Sequence, residues 1–230
     1  MKKKWWIIAL AVATIFLLAW LICRNEISKK KASKEPEMTQ EEFVMTLMPS
    51  TVMVTAGESH ASGVIIDIND EKIAIVTAGH LMQGYDQGII TFYTGNAGFG
   101  NVKFISENPD ICILEFERKY LDEGLVKELS SSAYDLKHYE DLAVDDMVYL
   151  VGSAISAGSN ATVGKVAAKD FYVDDFDDRM LYLYTDVMAG MSGCGVYDGS
   201  GYLVGILAGG NDSGEAVCVS LPEILEHGGY

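Results

Sequence analysis

The stretch GMSGCGVYDGSGYLVGI, residues 190–206, decides how the rest of the chain is read. Its second half is two short apolar pieces around YDGSGY (197–202), where aspartate and glycine suit a hairpin connection. Its first half sets one hydroxyl, Ser192, among glycines at 190, 193 and 195, so the backbone can bend sharply and its N–H groups stand unshielded by side chains. A hydroxyl is a weak nucleophile. To react, Ser192 needs a base oriented by a third group, and the N–H groups of Gly190 and Ser192 must face a developing oxyanion.

Working outward, the same texture recurs. VMVTA, GVIIDI, KIAIVTAG, GIITFYT, NVKFIS and DICILEFE lie upstream, followed by MVYLVGS, ATVGKVAAKD and MLYLYTDV, and EAVCVSL lies downstream. These pieces are strand-length, rich in Val, Ile, Tyr and Phe, and recur about every 8 to 15 residues, which predicts an all-β sandwich or barrel. IND-EK (68–72) reads as a second hairpin turn. Lys119 to Asp146 is the one longer segment without strand character, expected as a short helix and a crossover. The body, 43–230, therefore divides into a first β unit at about 43–118, a crossover at 119–143 and a second β unit at 144–222, with the cleft between the units the natural place for a site.

The chain has 230 residues, 49% hydrophobic and 22% charged, which excludes collagen-like, low-complexity and wholly disordered classes. A net charge of −16 argues against nucleic acid as a main partner, because gripping phosphates takes a basic face. Cys23, Cys112, Cys194 and Cys218 lack metal-ligand spacing and are too few for a disulfide framework. Free thiols are expected, with Cys194 and Cys218 the pair to check.

Ahead of the body, Lys2, Lys3 and Lys4 precede WWIIALAVATIFLLAWLIC (5–23), an uncharged run that as a helix would reach roughly 28 Å, near the hydrocarbon thickness of a bilayer. Trp5, Trp6 and Trp20 sit toward its ends, where indoles favour the membrane interface. The run is longer than a usual signal-peptide core and no A-x-A-like site closes it, so it reads as a single-pass anchor in the cell membrane. Residues 24–42 read as a polar stem. Arg24, Lys29, Lys30, Lys31 and Lys34 rival the leading lysines, so charge alone leaves the orientation open.

Two residues could serve Ser192. His80 closes the run IAIVTAGH, where a strand would exit into a loop, and Asp110 heads DICILEFE, where its carboxylate could orient an imidazole. His60, His138 and His227 lie in polar or terminal contexts. The chain order His80, Asp110, Ser192 differs from the Ser…Asp…His of α/β-hydrolases and the Asp…His…Ser of subtilisin-type enzymes. It agrees with the all-β reading.

SGVIID (62–67), IVTAGH (75–80), DICILEF (110–116), DDMVYLVGS (145–153), TVGKV (162–166) and the opening stretch, in that order, resemble the chymotrypsin-fold serine proteases of the HtrA/Deg-like branch. The resemblance covers about 50–225 and implies two six-stranded Greek-key barrels with the site between them. It also implies His80 as general base, Asp110 as its orienter, Ser192 as nucleophile, and the N–H groups of Gly190 and Ser192 as oxyanion donors. A protein or peptide substrate follows, with no metal or organic cofactor. The topology preferred on this resemblance has the protease domain on the extracytoplasmic side. Relatives of this branch often trimerise, so an oligomer is possible, and often carry a PDZ domain, for which the residues after the last motif leave no room.

The departures set further expectations. Met191 replaces the acid or amide usual before the nucleophile, so no ion pair to a freshly cut N-terminus can hold the turn. Cys194 replaces a small residue and is expected as a buried thiol. Asp186, six residues before Ser192, either binds Lys or Arg of the substrate or simply ends a strand, while Leu207, Ala208 and Gly209 are expected as the edge that pairs with substrate backbone. VDDFDDR (173–179) is expected as a solvated loop. Met191 and Cys194 also motivate a second function: a weak or inactive protease-fold protein of the cell envelope that binds peptides without turnover.

Overall fold

Among the described residues, apolar runs with a two-residue period fold into twelve strands. The first six are β1 (Thr51–Ala56), β2 (Ser59–Ile68), β3 (Lys72–Thr77), β4 (Gln87–Phe92), β5 (Ala97–Ser106) and β6 (Ile111–Glu117), and they close into a barrel in the order β1-β2-β3-β6-β5-β4. The second six are β7 (Met147–Val151), β8 (Ala161–Val173), β9 (Asp178–Tyr184), β10 (Gly195–Tyr197), β11 (Leu203–Asn211) and β12 (Glu215–Ser220). They close in the matching order β7-β8-β9-β12-β11-β10. Among the described residues five short α-helices accompany them: α1 (Gln40–Leu47), α2 (Gly79–Met82), α3 (Glu123–Val126), α4 (Leu136–Asp141) and α5 (Leu221–Gly228).

The structure, a computed structural model, describes residues 39–153 and 161–228. The expected anchor (5–23) and nearly all of the expected stem lie outside the described residues. Among the described residues no helix is long and apolar enough to cross a membrane.

Three apolar clusters follow from strand alternation. In β3, Ile73 and Ile75 point into the first barrel with Val52, Ile65, Leu114 and Phe116, while Ala74 and Val76 point the other way. In β11, Val204 and Leu207 enter the second barrel's core, while Leu203, Ile206 and Ala208 point outward. The outward sets meet each other. Val64, Ile66, Ala74, Val76 and Ile111 from the first barrel share one buried cluster with Leu203, Ile206, Ala208 and Val219 from the second. Strands buried on both faces read as continuous apolar runs, which is why GVIIDI and YLVGI lack a polar alternation.

The turns are held as their residues suggest. Asn69 Oδ1 accepts the N–H groups of Glu71 and Lys72 at 3.0 Å each, and Asp198 Oδ1 accepts those of Ser200 and Tyr202 at 2.9 Å each. Instead of one helix, the crossover forms two short ones, α3 and α4. Asp122 and Asp135 cap their starts, and the chain between them leaves helical geometry to bond both barrels: Ser130 N–H donates to Pro49 O, Ser132 N–H to Ile65 O, and Ala133 O accepts Leu203 N–H of β11. Residues 43–47 are helical rather than part of the first barrel. Val44 and Leu47 join the cluster between the barrels, and Phe43 packs on Tyr149 of β7 with ring centroids 4.5 Å apart.

A buried polar group reinforces the seam. Tyr197 is fully buried, and its hydroxyl lies 2.9 Å from Ser132 Oγ and 3.4 Å from Ser50 Oγ, which are themselves 3.0 Å apart. A phenol buried without such partners would cost about 1–3 kcal/mol. The network therefore ties the segment before β1 and the crossover to β10, just beyond Ser192.

Candidate active site

His80 and Asp110 sit where strands end, and Ser192 sits in the turn before β10. His80 follows β3 on α2, and Asp110 immediately precedes β6, the strand paired with β3. Adjacency in the sheet brings the two together. One carboxylate oxygen of Asp110 accepts the His80 backbone N–H at 2.6 Å and the other lies 2.8 Å from His80 Nδ1. Asp110 is 3% exposed, so its charge is compensated almost wholly by these bonds. A carboxylate only accepts, which places the imidazole proton on Nδ1 and leaves the Nε2 lone pair free. The His80 side chain is 51% exposed, so that edge is open. Its hydrogen bond to Asp110 raises the imidazole pKa above the ordinary 6.5, with burial opposing and the Asp110 charge assisting.

Ser192 belongs to the other barrel. Two successive turns carry it: Met191 N–H donates to Met188 O at 3.1 Å and Cys194 N–H to Met191 O at 2.9 Å. Each has glycine in its third place with positive φ, +88° at Gly190 and +77° at Gly193, the conformation that glycine adopts without penalty. A side chain at Gly193 would also collide, its Cβ falling 2.2 Å from Ser62 O and 2.5 Å from Thr77 Oγ1. The glycines thus set Ser192 at a corner pressed against the first barrel. Ser192 O accepts Ser62 N–H at 2.8 Å, and Ser62 O accepts the Thr77 hydroxyl at 2.7 Å, three residues before His80. The Ser192 side chain is half-buried and its hydroxyl makes no hydrogen bond among the described residues.

Met191 and Cys194 have packing roles. Met191, 3% exposed, lies in the second barrel's core with Leu142, Cys194, Val196 and Leu207, so an apolar anchor stands where an ion pair was excluded. Cys194 and Cys218 are both buried and free. They flank Leu207, which donates its N–H to Cys194 O and pairs with Cys218 across β11 and β12. Two strand spacings, about 10 Å, exceed the reach of a disulfide. Burial pushes the Cys194 thiol up to about 12 and does the same to Cys112, with the Asp110 charge adding there.

The expected substrate positions divide. Leu207 has both backbone groups occupied, accepting Gly193 N–H at 2.7 Å as well as donating to Cys194, and its side chain is core. It cannot pair with a substrate backbone. Beyond it, Gly209 to Asn211 run past the end of β10 and are paired by β12 on one side, with no strand on their other edge among the described residues, whereas Ala208 falls in the register irregularity and is 3% exposed. Asp186 is exposed beside the β11–β12 turn, its carboxylate 3.4 Å from where a Cβ on Gly214 would lie. A solvated charge there discriminates weakly. The VDDFDDR segment forms the β8–β9 turn, with Asp177 at φ +47°. Sequence reasoning missed Ser62, whose hydroxyl donates to Gly190 O at 3.2 Å and accepts Ser153 N–H at 3.1 Å. Its place in SGVIID carries no local signal of that reach.

Residues 61–206, more than half of the chain, match the family described as Trypsin-like peptidase domain. The chain belongs to that family. The trypsin-like fold is shared with solved HtrA-type proteases: a variant of AlgW with a tripeptide (TM-score 0.67, 18% identity, covering 80% of this chain and 60% of that one) and AlgW with a decapeptide (0.66, 16%, 80% and 64%). A serine endoprotease from Yersinia pestis is similar in the same way (0.65, 18%, 84% and 66%). This chain therefore spans about 60 to 66% of the length of these structures. A search of the curated proteins finds no match.

Proposed function

We propose that the chain is a membrane-tethered serine endopeptidase that hydrolyses peptide bonds through an acyl-enzyme. Ser192 is the nucleophile, His80 the general acid and base, Asp110 its orienter, and the N–H groups of Gly190 and Ser192 the oxyanion donors. His80 takes the Ser192 proton at Nε2 as Oγ attacks the scissile carbonyl, then gives it to the leaving amine; water repeats the sequence to release the acyl group. The route calls for no metal or organic cofactor.

The observation that carries the reading is the paired hydrogen bond of His80 to buried Asp110, joined through Thr77 and Ser62 to the turn that bears Ser192. An unengaged hydroxyl fits it, because catalytic hydrogen bonds often tighten only once substrate is bound. The peptides held by two of the similar structures support a peptide or protein substrate, which would lie along the unpaired edge that begins at Gly209 as an added strand. Asp186 would contribute at most a mild preference for basic side chains. The apolar run 5–23 would hold the body at the cell membrane on the extracytoplasmic side. Packing accounts for Met191 and Cys194, the two residues that motivate a binding-only alternative.

A fluorophosphonate probe tests the reading. Wild type is expected to label and Ser192→Ala to lose the label; equal labelling of the two, or none of wild type under conditions where it is folded, would overturn it.

A further inference from the structure

Without an acid before Ser192 to bond a chain terminus, something else must hold the turn to the first barrel. We propose that Ser62 is the positioning residue that sets the nucleophile turn, a role that rests on the serine peptidase reading for its catalytic consequence but not for its geometry.

Ser62 lies on β2, opposite Met53 of β1, and is almost fully buried. Among the described residues its groups reach at least four places. The hydroxyl donates to Gly190 O and accepts Ser153 N–H, at the end of β7. Its N–H donates to Ser192 O at 2.8 Å, and its carbonyl accepts Thr77 Oγ1, next to the residue that leads into α2 and His80. One first-barrel residue therefore grips the turn on both sides of Met191 and also bonds the strand that carries the imidazole.

The grip is specific in shape. A Cβ at Gly152 would fall 2.5 Å from Ser62 Oγ, and one at Gly193 would fall 2.2 Å from Ser62 O, so glycines on the second barrel make room for both ends of this serine. The carbonyls of residues 190 and 192 are the ones fixed. The N–H groups of Gly190 and Ser192 carry no backbone hydrogen bond among the described residues, as the proposed oxyanion donors require. A turn anchored through its carbonyls keeps its donors aimed without reorganisation during reaction, which is where positioning has its largest effect on rate. Removing the hydroxyl deletes the anchor at Gly190 while leaving the backbone bond to Ser192, so the turn loosens at the oxyanion side first.

The test uses the full chain with Ser62→Ala and, as a variant that keeps a weaker donor at the same position, Ser62→Cys. Fluorophosphonate labelling rates are measured across pH, and amide deuterium exchange is followed in the segment 188–194. Ser62→Ala is expected to lower the labelling plateau about 10- to 100-fold with the acid inflection unmoved, and to speed exchange in that segment while the β2–β3 amides stay protected. Ser62→Cys is expected in between, and decides the matter by the same readings if the alanine variant loses protection throughout. Wild-type plateau and wild-type exchange in both variants would overturn the proposal, as would a shifted inflection at an unchanged plateau, which would place the effect on His80. Failure of wild type to label would refute the peptidase reading alone, since faster exchange in the variants would still assign Ser62 its hold on the turn.

Discussion

Asp110→Asn removes one acceptor from a site with two donors. In the native arrangement the carboxylate receives the His80 backbone N–H at 2.6 Å and the ring Nδ1–H at 2.8 Å, one on each oxygen. An amide of the same shape offers one oxygen and one NH2. Keeping the oxygen on the backbone N–H turns the NH2 toward Nδ1, which must then accept, moving the ring proton to Nε2. That tautomer cannot take a proton from Ser192. Substituting the orienting carboxylate by an amide in triads of this kind lowers turnover about 10⁴-fold, or about 5 kcal/mol on the barrier. The acid limb should move as well. In wild type the bond to Asp110 and its charge hold the His80 pKa above 6.5 against burial, so labelling falls as pH drops through that raised value and His80 becomes cationic. In the variant only burial remains, and the residual rate should persist to lower pH. Fluorophosphonate labelling measured between pH 5 and 9 reads both effects. A variant within tenfold of wild type, with the same acid inflection, would refute the reasoning.

Gly193→Ala combines a left-handed backbone position, costing about 1–2 kcal/mol for an alanine, with overpacking of about 1–3 kcal/mol against Ser62 O and Thr77 Oγ1. The melting temperature should fall by roughly 10 °C in calorimetry, at about 3 °C per kcal/mol for a body of this size; an unchanged melt would mean that the turn does not pack on Ser62. The buried thiols should be inert, since burial raises Cys194 and Cys112 to about 12. Folded protein treated with an excess of iodoacetamide at pH 8 should remain unmodified at both residues by peptide mass spectrometry, and modification at a rate like that of a free thiol would contradict their placement.

How much of this is legible in the sequence depends on the range of the interaction. The barrels can be read because their strands are continuous short-range patterns: GVIIDI and KIAIVT alternate between the first barrel's core and the seam, and YLVGI does the same in the second. His80 and Asp110 can be picked out because each ends or heads such a run, Ser192 because glycines surround its hydroxyl, and chain order then orders them. Register and long-range partners are not local, and there the reading thins. Leu207 looks like an open edge residue until its N–H and C=O are seen bonded to Cys194 and Gly193. Asp186 has a suggestive spacing, yet the turn at Gly214 leaves it in solvent. Cys194 and Cys218 look pairable in sequence but are separated by the width of β11. Ser62 is the extreme case, a small hydroxyl in an apolar run whose partners lie 91 and 128 positions away.

In the proposed site His80, Asp110 and Ser192 converge across the seam, with the amides of Gly190 and Ser192 turned toward the reacting carbonyl. A crystal structure of the protein after reaction with a peptidyl phosphonate tests it most directly. Phosphorus is expected on Ser192 Oγ, its free oxygen within about 3 Å of the N–H groups of Gly190 and Ser192, and His80 Nε2 within hydrogen-bond distance of the adduct. An adduct on another residue, or a phosphoryl oxygen turned away from both amides, would contradict it.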